Sequence, residues 1–228
     1  MNIGIFGGTF NPVHLGHTAL ASYICNLGLV DEVWLMVSPQ NPFKQDHELL
    51  DEAVRYRLVT LAVQDFPRLR ASDFEFHLPR PSYTCVTLRE LTLAYPNNTF
   101  SLIIGGDNWA KFPAWRNSAD ILAHYPVIVY PRETESGKWE MVRGERLAVS
   151  EGESDGDGKS DGYNESDKKR AGRLPSRWSK KGVIFLPSAP LYPISSTAIR
   201  RALAAGDDVS PWLDPAVHAE ILRLELYR

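Results

Sequence analysis

Asn2-Ile3-Gly4-Ile5-Phe6-Gly7-Gly8-Thr9-Phe10-Asn11-Pro12-Val13-His14-Leu15-Gly16-His17 is a short apolar run that breaks into a Gly-Gly turn and then into a helix start. The run 2–6 has the length and side-chain content of a buried strand. Gly7 and Gly8 allow a left-handed backbone and a close approach of main chain to ligand. The helix expected from about 15 onward offers N–H groups and the positive end of its dipole, which together suit an anion. His14 and His17 are three apart, so within one helical turn they point the same way and can donate to the same phosphate oxygens. The stretch is neither a G-x-G-x-x-G dinucleotide fingerprint nor a G-x-x-x-x-G-K-S/T phosphate loop, because no Lys follows the glycines.

Outward from this stretch, apolar runs alternate with helix-length segments. Strands are expected at 2–6, 32–38, 70–76, 99–104, 127–131 and 183–187, and helices at about 15–27, 51–65, 83–95, 117–124, 196–205 and 214–226. Near-continuous β-branched and aromatic strands separated by helices indicate a parallel sheet covered on both faces. The expected fold is therefore α/β, a Rossmann-like doubly wound parallel sheet with a C-terminal helical segment. Ligands of such sheets bind beyond the carboxyl ends of the strands, so chemistry is sought in the turns after the first, second, fourth and last strands.

Composition sets the outer bounds. The 228 residues carry 25 Lys plus Arg against 28 Asp plus Glu, a net charge of −3, with 43% hydrophobic residues. No excess of positive charge is present to neutralise a nucleic-acid backbone, and no apolar run reaches the ~20 residues that span a bilayer. The N-terminus lacks the basic and long apolar regions of a signal peptide, and the two cysteines, Cys25 and Cys85, form no disulfide framework or metal-site spacing. A cytoplasmic protein is the expectation. Residues 150–182 break the pattern: they hold six Gly and six Ser, with seven acids in 151–167 and seven bases in 168–181. Such a segment buries too little apolar surface to offset its ordering entropy and reads as a flexible loop.

The first stretch resembles the G-G-T-F-D/N-P-x-H-x-G-H signature of the HxGH nucleotidyltransferases. Ile194-Ser195-Ser196-Thr197-Ala198-Ile199-Arg200 is similar to their C-terminal motif. Read physically, Ser195 or Ser196 caps a helix whose N-terminus faces a phosphate, with Arg200 one turn further along. Three further stretches resemble the nicotinate-nucleotide adenylyltransferases within that group: Ser38-Pro39-Gln40-Asn41-Pro42-Phe43-Lys44, Ser82-Tyr83-Thr84-Cys85-Val86-Thr87-Leu88, and Gly105-Gly106-Asp107-Asn108 through Ala114-Trp115-Arg116. The resemblance covers about 1–131 and 183–226, and implies one nucleotidyltransferase domain over 1–228 with an insertion at 136–182. It departs from the pattern at Asn11, where many relatives carry Asp, and in the length of the insertion.

The resemblance implies adenylyl transfer from ATP to nicotinate mononucleotide, giving deamido-NAD and pyrophosphate. It also implies ATP and nicotinate mononucleotide as partners, no nucleic acid, no membrane, and a homo-oligomer left open. His14, His17, Lys44 and Arg200 would neutralise charge on the reacting phosphates. Gly7, Gly8, Thr9, Phe10, Gly16, Gly105, Asp107, Ser195 and Ser196 would contact ATP, with Asp107 on the adenosine side. Trp115 would stack on the nicotinate ring beside Arg116, and Thr84 would hold its carboxylate. No protein-held metal is expected, Mg2+ being carried mainly by the ATP phosphates. The alternatives are another HxGH transferase, acting on nicotinamide mononucleotide, pantetheine phosphate or glycerol phosphate, or a non-catalytic nucleotide-binding module of the same fold. Since neither phosphate motif lies inside it, replacing 150–182 by a short Gly-Ser linker is expected to leave kcat within a few fold. Limited proteolysis of the intact chain should cut there first, and a folded but inactive trimmed protein would overturn that expectation.

Overall fold

The computed structural model describes residues 1–39, 49–133, 139–140, 182–189 and 192–228. Six parallel strands build the main sheet: β1 (Asn2–Gly8), β2 (Glu32–Val37), β3 (Leu69–Ser72), β4 (Thr99–Gly105), β5 (Val127–Tyr130) and β8 (Val183–Phe185). Between β5 and β8 lies a separate antiparallel pair, β6 (Arg132–Glu133) and β7 (Trp139–Glu140). The helices are α1 (Leu15–Asn26), α2 (Glu52–Val63), α3 (Thr84–Ala94), α4 (Gly106–Lys111), α5 (Ser118–His124), α6 (Ser196–Ala205) and α7 (Pro215–Arg223). The chain is an α/β Rossmann-like doubly wound sheet, as the alternation of elements predicts.

The sheet order is β3-β2-β1-β4-β5-β8. The chain moves outward from β1 to β3, then returns to β4 on the other side of β1. That reversal opens a crevice at the carboxyl ends of β1 and β4, where ligands of doubly wound sheets bind. The histidine motif follows β1, and Gly105-Gly106-Asp107 follows β4, so the topology brings both to one crevice.

Period-2 alternation sends side chains of each strand to two cores. Val33, Leu35 and Val37 of β2 face one core with Leu20, Ile24, Leu58 and Ile199, under α1, α2, α6 and α7. Trp34 and Met36 face the other with Leu88, Leu91 and Ile121, under α3 and α5. Gly4 lets β1 sit close to β4, since a Cβ there would lie 2.7 Å from Ile103 Cδ1. The C-terminal helix α7 is tied to α2 by Glu220, which pairs with Arg57 of α2 and, at 2.7 Å, with Arg223 of its own helix.

Three expectations need correction. The strand expected at 70–76 ends at Ser72, and Phe74–His77 forms a 3-10 turn instead. That turn carries the Glu75 carboxylate inward to the hydroxyls of Ser82, just before the following helix, and of Thr87 within it. Gly7 and Gly8 are not a left-handed turn: they extend β1 by pairing with Met36 and Val37 of β2. The left-handed residue of the stretch is Phe10, at φ 47°. Finally, the short helix α4 directly after β4 was not anticipated from the sequence. The insertion at 136–182 lies outside the described residues except for β7 and Gly182, and among the described residues no helix is long and apolar enough to cross a membrane.

Candidate active site

The loop after β1 is shaped by Phe10. A bulky side chain in the left-handed region is strained by about 1–3 kcal/mol, which its surroundings must offset. The Phe10 ring is buried edge-on to Phe6 at 5.8 Å and to His17 at 5.1 Å. It lies beneath Gly8, where a Cβ would come within 3.1 Å of it. A side chain at position 8 would thus crowd Phe10, whereas a Cβ at Gly7 would project into open space, leaving its backbone approachable.

His14 is the N-cap of α1 and His17 its third residue. Their rings are 3.8 Å apart between centroids and inclined by 33°, so the pair faces one direction as the spacing predicts. The His14 backbone N–H donates to His17 Nδ1 at 3.2 Å. With Nδ1 accepting, the neutral ring carries its proton on Nε2, a donor. Gly16 leaves room for this arrangement, because a Cβ there would lie 3.0 Å from His14 Nδ1 and 3.2 Å from Tyr192 Cβ.

The C-terminal motif docks onto the same loop. Ser195 is the N-cap of α6, its Oγ accepting from the Ala198 N–H. The Ser196 hydroxyl donates to the Pro12 carbonyl at 2.8 Å, and Arg200 donates to the Asn11 carbonyl at 2.9 Å. Asn11 is buried, and its Oδ1 accepts from the Tyr227 hydroxyl at 2.9 Å and from the Leu50 N–H at 3.4 Å. The neutral amide therefore fixes the turn without a carboxylate. Burial pushes the Tyr227 phenol up from its ordinary pKa, opposed by the nearby Arg200 and Arg55 charges.

Arg55 was missed by the sequence reading. It is 1% exposed, and its guanidinium donates to four carbonyls: Leu50 at 2.8 Å, Thr9 at 2.7 Å, Ser38 at 2.7 Å and Pro39 at 2.8 Å. One side chain thus fastens the loop after β1 to the loop after β2. The signal was its place on α2, three, four and seven residues before the buried Leu58, Val59 and Ala62. An arginine within an apolar stripe is buried only with partners. Lys44, further along the second loop, lies outside the described residues.

Across the sheet, α3 begins at Thr84 behind the N-cap Tyr83. Arg116 lies over the Tyr83 ring at 4.8 Å, so the stretches 82–88 and 105–116 meet. Trp115 is half-buried against Phe112, with ring centroids 5.3 Å apart. Asp107 sits in the first turn of α4, whose N-cap is Gly105. Glu75, also missed, is buried and accepts from the Thr87 hydroxyl at 2.8 Å and the Ser82 hydroxyl at 3.3 Å. Burial pushes its carboxyl up, opposed by hydrogen bonds from Thr87, Ser38 and Ser82.

Residues 5–202 match the cytidylyltransferase-like family. The probable nicotinate-nucleotide adenylyltransferase of Bacteroides fragilis strain YCH46 is 41% identical over 220 residues, covering 96% of this chain and 90% of that protein. The chain belongs to the nicotinate-nucleotide adenylyltransferase family. A second family member, from Bacteroides thetaiotaomicron, is 42% identical over 221 residues, with 95% of this chain and 89% of that protein covered. The solved nicotinic acid mononucleotide adenylyltransferase of Plasmodium falciparum, complexed with NaAD, superposes with a TM-score of 0.68. It covers 99% of this chain and 97% of that one at 19% identity, a likeness that carries the fold. The six-stranded parallel sheet described above is thus the fold of this family.

Proposed function

We propose that this chain transfers the AMP moiety of ATP to nicotinate mononucleotide, giving deamido-NAD and pyrophosphate, a step of NAD biosynthesis. The observation that carries this reading is the His14–His17 pair at the N-terminus of α1, set in the crevice between β1 and β4. A phosphate oxygen of the mononucleotide attacks the α-phosphorus of ATP. One P–O bond forms while the bond to the departing pyrophosphate breaks. The attacking oxygen is already ionised, so no general base is needed, and catalysis is in-line positioning plus neutralisation of charge.

The residues divide that work. His17 donates through Nε2 and the α1 N-terminus supplies N–H groups and a favourable dipole. Arg200 adds fixed positive charge from α6, and the motif assigns Lys44 the same task. Gly7 and Gly8 give the triphosphate a flat backbone to lie on. Thr9, Ser195 and Ser196 line the same loop, and Asp107 at the start of α4 takes the adenosine side. On the acceptor side, the first turn of α3 at Thr84 holds the nicotinate carboxylate, with Trp115 against the ring and Arg116 nearby.

A divalent cation, Mg2+, accompanies ATP. The side chains around the loop are imidazole, hydroxyl and guanidinium, and among the described residues no group of three or more His, Cys, Asp or Glu could hold a metal. That donor set suits an ion held mainly by phosphate oxygens, where it neutralises triphosphate charge. Cys25 and Cys85 are free thiols, which fits a reducing, cytoplasmic setting.

A coupled pyrophosphate-release assay, with nicotinate and nicotinamide mononucleotides in parallel, tests the reading. Turnover is expected with the nicotinate substrate and much less with the amide. Absence of turnover with nicotinate mononucleotide would overturn it. Trp115→Ala is expected to raise KM for the mononucleotide about ten- to hundredfold, since ring stacking contributes ~1–3 kcal/mol. KM for ATP should hardly change. Because Trp115 packs on Phe112, a melting curve must accompany the kinetics, and a lower melting temperature with an unchanged mononucleotide KM would make the residue a packing element only.

A further inference from the structure

The buried polar cluster under the start of α3 has no part in the chemistry above, yet it joins the two loops that meet the acceptor. Glu75 occupies the 3-10 turn after β3, while Ser82 and Thr87 bracket the first turn of α3. Both hydroxyls, 9% and 1% exposed in residue terms, donate to its carboxylate oxygens, one to each. The Ser38 hydroxyl lies near the same carboxylate and helps to hold its pKa down. Ser38 itself is held from two other sides: its N–H donates to the Gly8 carbonyl at 2.9 Å, and its carbonyl accepts from Arg55. A run of polar contacts therefore leads from the end of β1, through the first residue after β2, to Glu75 and the start of α3.

We propose that Glu75 is a positioning residue for the acceptor mononucleotide. By accepting from Ser82 and Thr87, with Ser38 beside it, it fixes the first turn of α3 relative to the loops after β2 and β3. The carboxylate-binding N–H groups at Thr84 are thereby held at a set distance from the reacting α-phosphate. A carboxylate suits this task, because its two oxygens let two hydroxyls from either side of the helix start converge on one group. Core packing alone would not require such a group, since Leu88 and Leu91 already seat α3 on the sheet. The polar bonds specify rotation and height of the first turn, which apolar contacts leave loose.

The inference rests on the proposed reaction, so the test begins with wild-type enzyme turning over nicotinate mononucleotide and ATP. An inactive wild type would refute the reaction, not the role of Glu75. With wild-type activity in hand, Glu75→Ala is expected to raise KM for nicotinate mononucleotide about tenfold or more, the scale of a lost buried hydrogen-bond partner. KM for ATP should stay within experimental scatter. Glu75→Gln should recover most of the loss, because its amide can accept from Thr87 and donate to Ser82. Thr87→Val removes one bond at nearly constant volume and should raise the same KM roughly threefold. If Glu75→Ala does not fold, Thr87→Val decides the matter by itself. An unchanged mononucleotide KM in folded Glu75→Ala or in Thr87→Val, or an equal rise of both KM values, would overturn the proposal.

Discussion

His17→Ala is expected to lower kcat by about 10²–10³-fold, the usual cost of deleting one donor aimed at charge developing in a transition state. ATP affinity should change far less. The argument begins with the tautomer. Because the His14 N–H is spent on His17 Nδ1 at 3.2 Å, the His17 ring can offer only its Nε2 proton outward. The ring is also fixed in orientation, wedged edge-on to Phe10 at 5.1 Å and beside His14 at 3.8 Å. A donor held so firmly needs little reorganisation as charge builds on the phosphates. His17→Asn is an instructive second variant, since its amide oxygen can still accept from the His14 N–H while its amino group donates from a shorter reach. Kinetics of folded His17→Ala with near-normal kcat would remove His17 from the mechanism. A loss confined to KM for ATP would move its role from transition-state stabilisation to ground-state binding.

What could be read from the sequence, and what could not, follows the range of the interactions. The β2 strand was legible because its alternation is local: Val33, Leu35 and Val37 against Trp34 and Met36. The histidine pair was legible for the same reason, since three-residue spacing on a helix start needs no knowledge of the rest of the chain. The C-terminal motif could be recognised, but its docking could not. Ser196 reaches Pro12 and Arg200 reaches Asn11 across more than 180 positions of sequence. Gly7 and Gly8 misled because glycine permits several backbones. Pairing with β2 chose the extended one, and the left-handed turn fell to Phe10.

Arg55, Glu75 and Tyr227 were missed for a related reason, although the apolar stripe around Arg55 carried a signal. Each is a polar residue whose partners come from other elements, so its own neighbourhood in sequence reads as an ordinary helix, strand or tail. Glu75 even looked like one position of a strand over 70–76. For Glu75 and Tyr227 only burial distinguishes them from surface residues, and burial is a property of the folded chain. The three share a pattern nonetheless: Arg55 holds carbonyls of the loops after β1 and β2, Tyr227 holds the Asn11 side chain, and Glu75 holds the start of α3. The motif residues were readable from local sequence, while Arg55, Tyr227 and Glu75, which brace them from outside the motifs, were not.

Arg55→Met is accordingly expected to be the most destabilising single change in the site, by about 3–5 kcal/mol. Methionine matches the apolar stem of arginine and removes the cost of burying a charge. Were that cost the dominant effect, the variant would be as stable as wild type or more so. The opposing effect is larger, because four carbonyls lose a charged donor together, at Thr9, Ser38, Pro39 and Leu50. Hydrogen bonds to charged groups contribute ~1.5–3 kcal/mol each, and part of that remains as the penalty of buried oxygens left without a donor. Burial lowers the Arg55 pKa, yet an arginine stays charged at any pH in which the protein folds. The donors are therefore present throughout, and the stability difference should not vary with pH between 5 and 9, by order of magnitude of the titration ranges concerned. For a chain of this size each kcal/mol moves the melting temperature by about 2–4 °C, so a fall of roughly 6–20 °C is expected. Below the new transition the folded variant should lose activity toward both substrates, because the loops after β1 and β2 are released together. Arg55→Lys is expected to recover little of either, since one ammonium cannot span four carbonyls in a fixed plane. A melting temperature equal to wild type in Arg55→Met would mean that desolvation of the guanidinium cancels its four hydrogen bonds, and would make the clamp neutral for stability.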